Sequence, residues 1–140
     1  RPIVETVSAL IFDNLFGRHP KLKLLVAEHG ATWIPKMLEH MDKSRGMGRN
    51  GPWIGGQLTE RPSKVFKRHV RVTPYPEDDV PRIVDELDGD DSVLVFGSDY
   101  PHASGVAQPE DFLDTLGELD ADTKRRIMRD NAQEFFQPGS

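Results

Sequence analysis

A chain of 140 residues with 36% hydrophobic residues can bury one core but is too short for a complete eight-stranded α/β barrel. The formal net charge is −5, and scattered Lys and Arg residues argue against a nucleic-acid partner. Cysteine is absent, which excludes disulfides and thiolate ligands, so any bound metal must use His, Asp or Glu. No apolar run approaches the roughly 18 residues of a membrane span, and no signal or transit peptide is visible, so we expect a cytoplasmic protein without a membrane partner.

In chain order, the first half predicts two helices, one strand and a long loop. Apolar residues at near-helical spacing predict a helix over Glu5 to Phe16. The almost continuous apolar run Leu22 to Ala27 predicts a strand that is covered on both faces. Apolar positions at i, i+3, i+4 and i+7 predict a second helix from Thr32 to Met41. The stretch Lys43 to Pro62 shows no sustained period and predicts a loop.

The second half alternates strands with helices. Strands are predicted over Lys67 to Thr73 and Ser92 to Phe96, each followed by a helix, the first capped by Asp79 and the second opened by Pro109. Asp120 is predicted to cap a final helix. This order predicts an α/β fold of parallel strands with crossover helices. Three strands alone leave open edges, which either dock onto strands outside this sequence or pair with a second copy as a homo-oligomer.

Polar residues follow each predicted strand, and in a parallel α/β barrel such residues gather on one face. Glu28 and His29 follow the first strand, and Asp99 follows the third. An imidazole and a carboxylate suit a divalent metal, and either can transfer protons. The alternative for His29 is an ordinary strand-end residue that caps a backbone group, and Asp99 could equally be a turn residue before Pro101.

A longer motif carries a family resemblance. The residues Phe96-Gly97-Ser98-Asp99-Tyr100-Pro101-His102, followed by Asp130-Asn131-Ala132, resemble the closing signature of the amidohydrolase-related family. That family includes aminocarboxymuconate semialdehyde decarboxylase and aromatic-acid decarboxylases. The stretch from His19-Pro20 to Trp33-Ile34-Pro35 resembles the sixth strand and following helix of the same family. The resemblance therefore spans nearly the whole chain.

The resemblance implies that residues 1–140 are the C-terminal fragment of a metal-dependent hydrolase barrel, its last three strand-helix units. Asp99 then corresponds to the aspartate that binds the catalytic divalent metal, with zinc expected and manganese as the alternative. His29 corresponds to the histidine that acts near the metal-bound water or the substrate. The family's His-x-His and its histidine after the fifth strand have no counterpart here, so the fragment alone is expected to be inactive.

Other candidates have weaker support. Trp33 could line an aromatic substrate pocket, although packing at the start of a helix is the alternative. His102 could contact an anionic substrate or the metal-bound aspartate, or it could be a solvated loop residue. Arg45 and Arg49 could steer a carboxylate, but exposed loop arginines usually bind nothing specific. The three remaining histidines are interpreted as structural or surface residues: His19, His40 and His69.

Two classes of function follow. The first is a metal-dependent hydrolase or non-oxidative decarboxylase of small, carboxylate-bearing and often cyclic molecules, as the resemblance implies. The second is a non-enzymatic barrel fragment or binding module. A third class, a doubly wound nucleotide-binding domain, is a remote alternative, because the turn Glu28-His29-Gly30-Ala31 lacks the G-x-G-x-x-G pattern and the sequence contains no P-loop.

Overall fold

The computed structural model describes residues 2–48, 55–99, 101 and 105–138 of the chain. The chain divides into two compact units. The first comprises Arg1–Leu24 and Trp33–Val70, and the second comprises Leu25–Thr32 and Arg71–Ser140. Within the described residues, no helix is long and apolar enough to cross a membrane.

The first unit is built from helices. These are α1 (Pro2–Phe12), α2 (Leu15–Arg18), α3 (Ile34–Gly48) and α4 (Pro62–His69). Its core includes Ile11, Met41 and Phe66, which are almost completely buried. His69 is buried as well, because its ring stacks on Phe16 at a centroid distance of 4.7 Å and its Nδ1 lies 2.8 Å from the carbonyl oxygen of Leu22. The structural interpretation of His69 is therefore supported by its contacts.

Three sequence predictions in this unit are wrong in part. The helix predicted over Glu5 to Phe16 is interrupted, because α1 ends at Phe12 and α2 begins at Leu15. The loop predicted over Lys43 to Pro62 begins too early, since α3 continues to Gly48.

The strand predicted over Lys67 to Thr73 is helical at its start, because α4 continues to His69. Asp42 on α3 stabilises the start of this helix. Its carboxylate accepts hydrogen bonds from the Ser63 N–H (2.9 Å) and the Ser63 hydroxyl (2.6 Å) in the first turn of α4. A side chain 21 residues earlier thus caps this helix, and local sequence gives no sign of it.

Most of the strand residues belong to the second unit. β1 (Leu24–Val26) is hydrogen-bonded to β2 (Val70–Val72), and Val72 forms a parallel bridge with Leu94. The predicted α/β class with parallel strands is confirmed. The predicted strand over Ser92 to Phe96 is wrong in its extent, because only Leu94 forms a bridge. We call residues 92–96 the third strand segment.

The second unit has several short helices, and two of them begin at the N-caps that the sequence predicts. The helical elements are α5 (Val80–Glu86), α6 (Phe112–Leu116) after a 3₁₀ turn (Pro109–Asp111), α7 (Ala121–Arg125), a π-helical turn (Arg126–Asp130) and α8 (Asn131–Phe135). Asp79 accepts a hydrogen bond from the Arg82 N–H at 3.2 Å, and Asp120 accepts one from the Thr123 N–H at 2.7 Å. Both predicted N-caps are therefore confirmed.

Candidate functional site

The second unit contains a cleft of about 310 Å³ at the carboxyl ends of its strands. Its lining includes residues 27–28 after β1, 73–76 after β2 and 96–99 at the end of the third strand segment. Most of the lining is apolar, and the carboxylates in it belong to Glu28 and Asp99. A largely apolar cleft with a few polar groups is the usual form of a small-molecule site in α/β proteins.

Asp99 is presented by a loop that closes on itself. The Asp99 backbone is left-handed, with φ of 58°, and its side chain is exposed. The Val106 N–H returns to donate to the Ser98 carbonyl oxygen at 3.3 Å. A Cβ at Gly105 would lie 2.2 Å from that same oxygen and 3.1 Å from the Asp99 Cβ. Only glycine fits at position 105 without a backbone shift, so the returning chain packs directly against the backbone that carries Asp99.

His29 lies in the turn that follows β1. Glu28 and Gly30, the residues on either side of it, both have φ of 66° in the left-handed region. The His29 side chain is exposed and is not part of the cleft lining, whereas Glu28 is. The structure therefore places Asp99 on the cleft and His29 in an adjoining turn, and the catalytic roles predicted for them stay predictions.

A polar cluster around the buried residues Asp91 and Asn131 anchors the third strand segment, which leads to Asp99. Asp91, only 5% exposed, accepts two hydrogen bonds from the Arg126 guanidinium, Nε to Oδ1 at 3.2 Å and Nη2 to Oδ2 at 2.8 Å. These bonds raise the pKa of Arg126 above its usual value. The Asn131 side-chain amide donates to the carbonyl oxygens of Asp91 (2.9 Å) and Leu94 (3.0 Å). Asn131, part of the motif that carried the family resemblance, thus ties the last helix to this segment.

The π-helical turn supplies a further anchor. The Asn131 N–H bonds to the carbonyl oxygen of Arg126, five residues earlier, instead of to that of Ile127. The Ile127 carbonyl oxygen instead accepts a hydrogen bond from the Phe96 N–H at 2.9 Å. The irregular turn therefore holds the end of the third strand segment, three residues before Asp99. Sequence periodicity gave no signal for it.

The remaining candidates lie elsewhere. Trp33 is 5% exposed and packs edge-to-face with Phe66 in the first unit, at a centroid distance of 6.3 Å. His102 and Arg49 lie outside the described residues. Arg45 donates to the Leu58 carbonyl oxygen at 3.0 Å, a structural contact. The substrate-binding roles of Trp33 and His102 stay predictions.

A catalytic divalent metal normally needs about three protein ligands. Residues 2–48, 55–99, 101 and 105–138 contain no cluster of three or more His, Asp or Glu side chains that could hold one. These residues therefore do not fit a complete metal centre. Asp99, with an exposed carboxylate on the cleft, can supply one ligand.

Comparisons with known proteins agree on the family. The amidohydrolase family model matches residues 3–137. A solved amidohydrolase from Mycobacterium avium subsp. paratuberculosis K-10 shares 31% identity over 95% of this chain, with a TM-score of 0.80. The 5-carboxyvanillate decarboxylase of Sphingomonas paucimobilis matches 92% of the chain at 23% identity, with a TM-score of 0.70. The matches cover 33% and 38% of those two longer chains, respectively.

Proposed function

The chain belongs to the amidohydrolase family, and we propose that it is the part of a metal-dependent hydrolase or non-oxidative decarboxylase that carries Asp99 and His29. We also propose that its strand-helix units are the last three of a (β/α)8 barrel, with the remaining units outside these 140 residues. Three features support this: the parallel strands, the crossover helices, and the match to about a third of longer relatives.

The position of Asp99 is the observation that carries the proposal. In parallel α/β barrels the reacting groups sit at the carboxyl ends of strands. Asp99 follows the third strand segment at that end, lines the cleft, and belongs to the family-like motif Phe96 to His102. Two anchors hold the segment that presents it, the Asn131 amide and the Ile127 carbonyl. Such support is what a reacting group needs if its carboxylate is to keep one position.

We assign separate roles to the two polar residues. Asp99 supplies one ligand to a divalent ion, zinc in the first instance and manganese as the alternative, and the other ligands come from outside the described residues. Such an ion, when bound, acts as a Lewis acid. His29 transfers a proton to or from the substrate, because imidazole exchanges protons readily near neutral pH.

The proposed substrates are small carboxylate-bearing molecules, often cyclic. The rings of Phe96 and Phe136 in the cleft lining provide flat apolar surface for a ring. Hydrolysis requires attack of water on an electrophilic carbon, whereas decarboxylation requires protonation of the carbon that loses carbon dioxide. His29 can serve either reaction. The relative that acts on 5-carboxyvanillate makes that compound the first decarboxylation substrate to test.

The test compares Asp99→Asn with Asp88→Asn in the full-length enzyme. Asp88 is a matched control, because it is also exposed and also has φ of 58°, but it does not line the cleft. We expect about one divalent ion per wild-type chain by metal analysis. Asp99→Asn should lose most of the metal and about a hundredfold or more in kcat, while Asp88→Asn should match the wild type.

Two outcomes would contradict the proposal. If the full-length wild type binds no divalent ion, the assignment as a metalloenzyme is wrong, and a binding module becomes the better interpretation. If Asp99→Asn retains both metal and activity, Asp99 is a turn residue. Zinc titration of the 140-residue chain alone should show only weak binding, because its described residues lack a three-ligand cluster.

A further inference from the structure

The turn after β1, residues Glu28 to Ala31, is held by residues from the loop after β2. Asp78 and Tyr75 of that second loop make the contacts, and both loops belong to the second unit. The sequence predicts no role for either residue in holding the turn. Because His29 lies within the turn, these contacts decide where its imidazole is presented.

Asp78 ties the two loops together through one carboxylate oxygen. Its Oδ2 accepts a hydrogen bond from the Ala31 N–H at 2.9 Å and a second from the Tyr75 N–H at 2.9 Å. Backbone donors on both loops therefore converge on one atom. Hydrogen bonds to an ionised carboxylate are stronger than those between neutral groups, so this link is a firm one.

Tyr75 holds the turn from its other side. Its hydroxyl donates to the carbonyl oxygen of Glu28, the residue before His29. Its ring also covers Gly30, the residue after His29. A Cβ at Gly30 would lie 2.8 Å from the ring carbon Cδ2 of Tyr75 and 3.1 Å from the Asp78 Oδ2. Only a glycine allows this close approach of the ring, and its φ of 66° also favours glycine.

The contacts from Tyr75 and Asp78 leave the His29 side chain exposed. Glu28, Gly30 and Ala31 each touch Tyr75 or Asp78, and the His29 side chain between them is exposed. We infer that Tyr75 and Asp78 are positioning residues, which fix the backbone on both sides of His29 and so set the place from which its imidazole meets the substrate. This inference rests on the proposed proton-transfer role of His29.

Hydrogen exchange at the Ala31 amide in the intact protein tests the inference without a substrate. Asp78→Ala should raise the exchange rate of this amide about tenfold or more, because its acceptor is lost. The backbone order parameter of His29 should fall from about 0.85, typical of rigid backbone, to below about 0.6. Asp78→Asn should retain most of the protection, since its amide oxygen can accept the same two bonds.

Asp79→Ala is the matched control. Asp79 adjoins Asp78 and caps α5 through the Arg82 N–H, so its loss weakens that helix by removing a hydrogen bond that does not involve the turn. We expect Asp79→Ala to leave the Ala31 exchange rate and the His29 order parameter unchanged. If Asp78→Ala does not fold, Tyr75→Phe replaces it, because this variant removes one hydroxyl and should still raise the mobility of Glu28 and His29.

The inference is overturned if Asp78→Ala and Tyr75→Phe both leave the turn as rigid as in the wild type, or if Asp79→Ala loosens it equally. These readouts are independent of activity. If the turn loosens in Asp78→Ala but His29→Ala retains full turnover, the contacts are real and the proposed role of His29 is wrong. If His29→Ala abolishes turnover and the turn stays rigid in Asp78→Ala and Tyr75→Phe, the proposed function stands and the positioning inference fails.

Discussion

Asn131→Ala should destabilise the second unit by about 2 to 4 kcal/mol. The Asn131 amide nitrogen donates to the backbone oxygens of Asp91 and Leu94 and lies 3.1 Å from the Asp91 carboxylate. Both Asn131 and Asp91 are less than a tenth exposed, so water cannot easily replace the lost donor. Leaving one buried carbonyl unsatisfied costs about 1 to 3 kcal/mol, and the weakened contact to a carboxylate adds to this.

Urea unfolding measures the effect, with Gln133→Ala as the control on the same helix. Gln133 is exposed, so its loss should change the free energy of unfolding by no more than about 0.5 kcal/mol. The unfolding midpoint of Asn131→Ala should fall while the urea dependence keeps its slope, because the change acts on the native state. A loss below about 1 kcal/mol would mean that the Asn131 amide does not anchor the strand segment.

Two further predictions concern a loop and a helix cap. Gly105→Ala should destabilise the protein by about 1 to 3 kcal/mol in thermal unfolding, because the added Cβ would collide with the Ser98 carbonyl oxygen. The control Gly46→Ala, which has open space around it in α3, should stabilise the protein by up to about 1 kcal/mol. Equal effects of the two substitutions would contradict this prediction. The hydrogen bond from the Thr123 N–H lowers the pKa of Asp120 in the folded protein. The cap therefore stabilises the fold fully at pH values above the unfolded-state pKa of about 3.9. This stabilisation is lost as the pH falls through the lowered pKa of the folded state. Asp120→Asn should therefore show a weaker fall of melting temperature below about pH 4, and identical acid profiles would rule the effect out.

Sequence patterns predicted those parts of the fold that depend on neighbouring residues. The caps at Asp79 and Asp120 were confirmed because each bonds a backbone N–H three residues later in the chain. The apolar run over Leu22 to Ala27 located β1 and the alternation over Lys67 to Thr73 located β2, although both strands proved shorter than predicted. The order of strands and helices then gave the α/β class, because parallel strands require crossover connections.

Sequence patterns failed where distant residues set the structure. The first turn of α4 is capped by Asp42, a residue of another helix. Near the start of α4 itself, Pro62 is the local sequence signal for a helix, since the N-cap residue Arg61 makes no side-chain hydrogen bond. The strand was predicted to begin at Lys67 because His69, Val70 and Val72 fit a strand pattern, yet His69 is the last residue of α4. A short pattern of this kind cannot separate a strand from a helix, since both kinds of element present an apolar face.

In the candidate site, too, features set by neighbouring residues could be predicted and features set by distant residues could not. Asp99 was identified from its motif, because the residues that mark it are adjacent in sequence. The residues that hold the site were not identified from the sequence, because their partners are distant along the chain. Asp78 bonds Ala31 from 47 positions away, and Asn131 bonds Asp91 from 40 positions away. Each of these contacts joins a side chain to the backbone of a different loop or strand, so it forms only after the parallel strands have aligned. Motifs therefore locate the proposed reacting group, whereas the groups that fix its surroundings become visible only in the folded chain, and Asp78 and Asn131 are the positions at which substitution should reveal them.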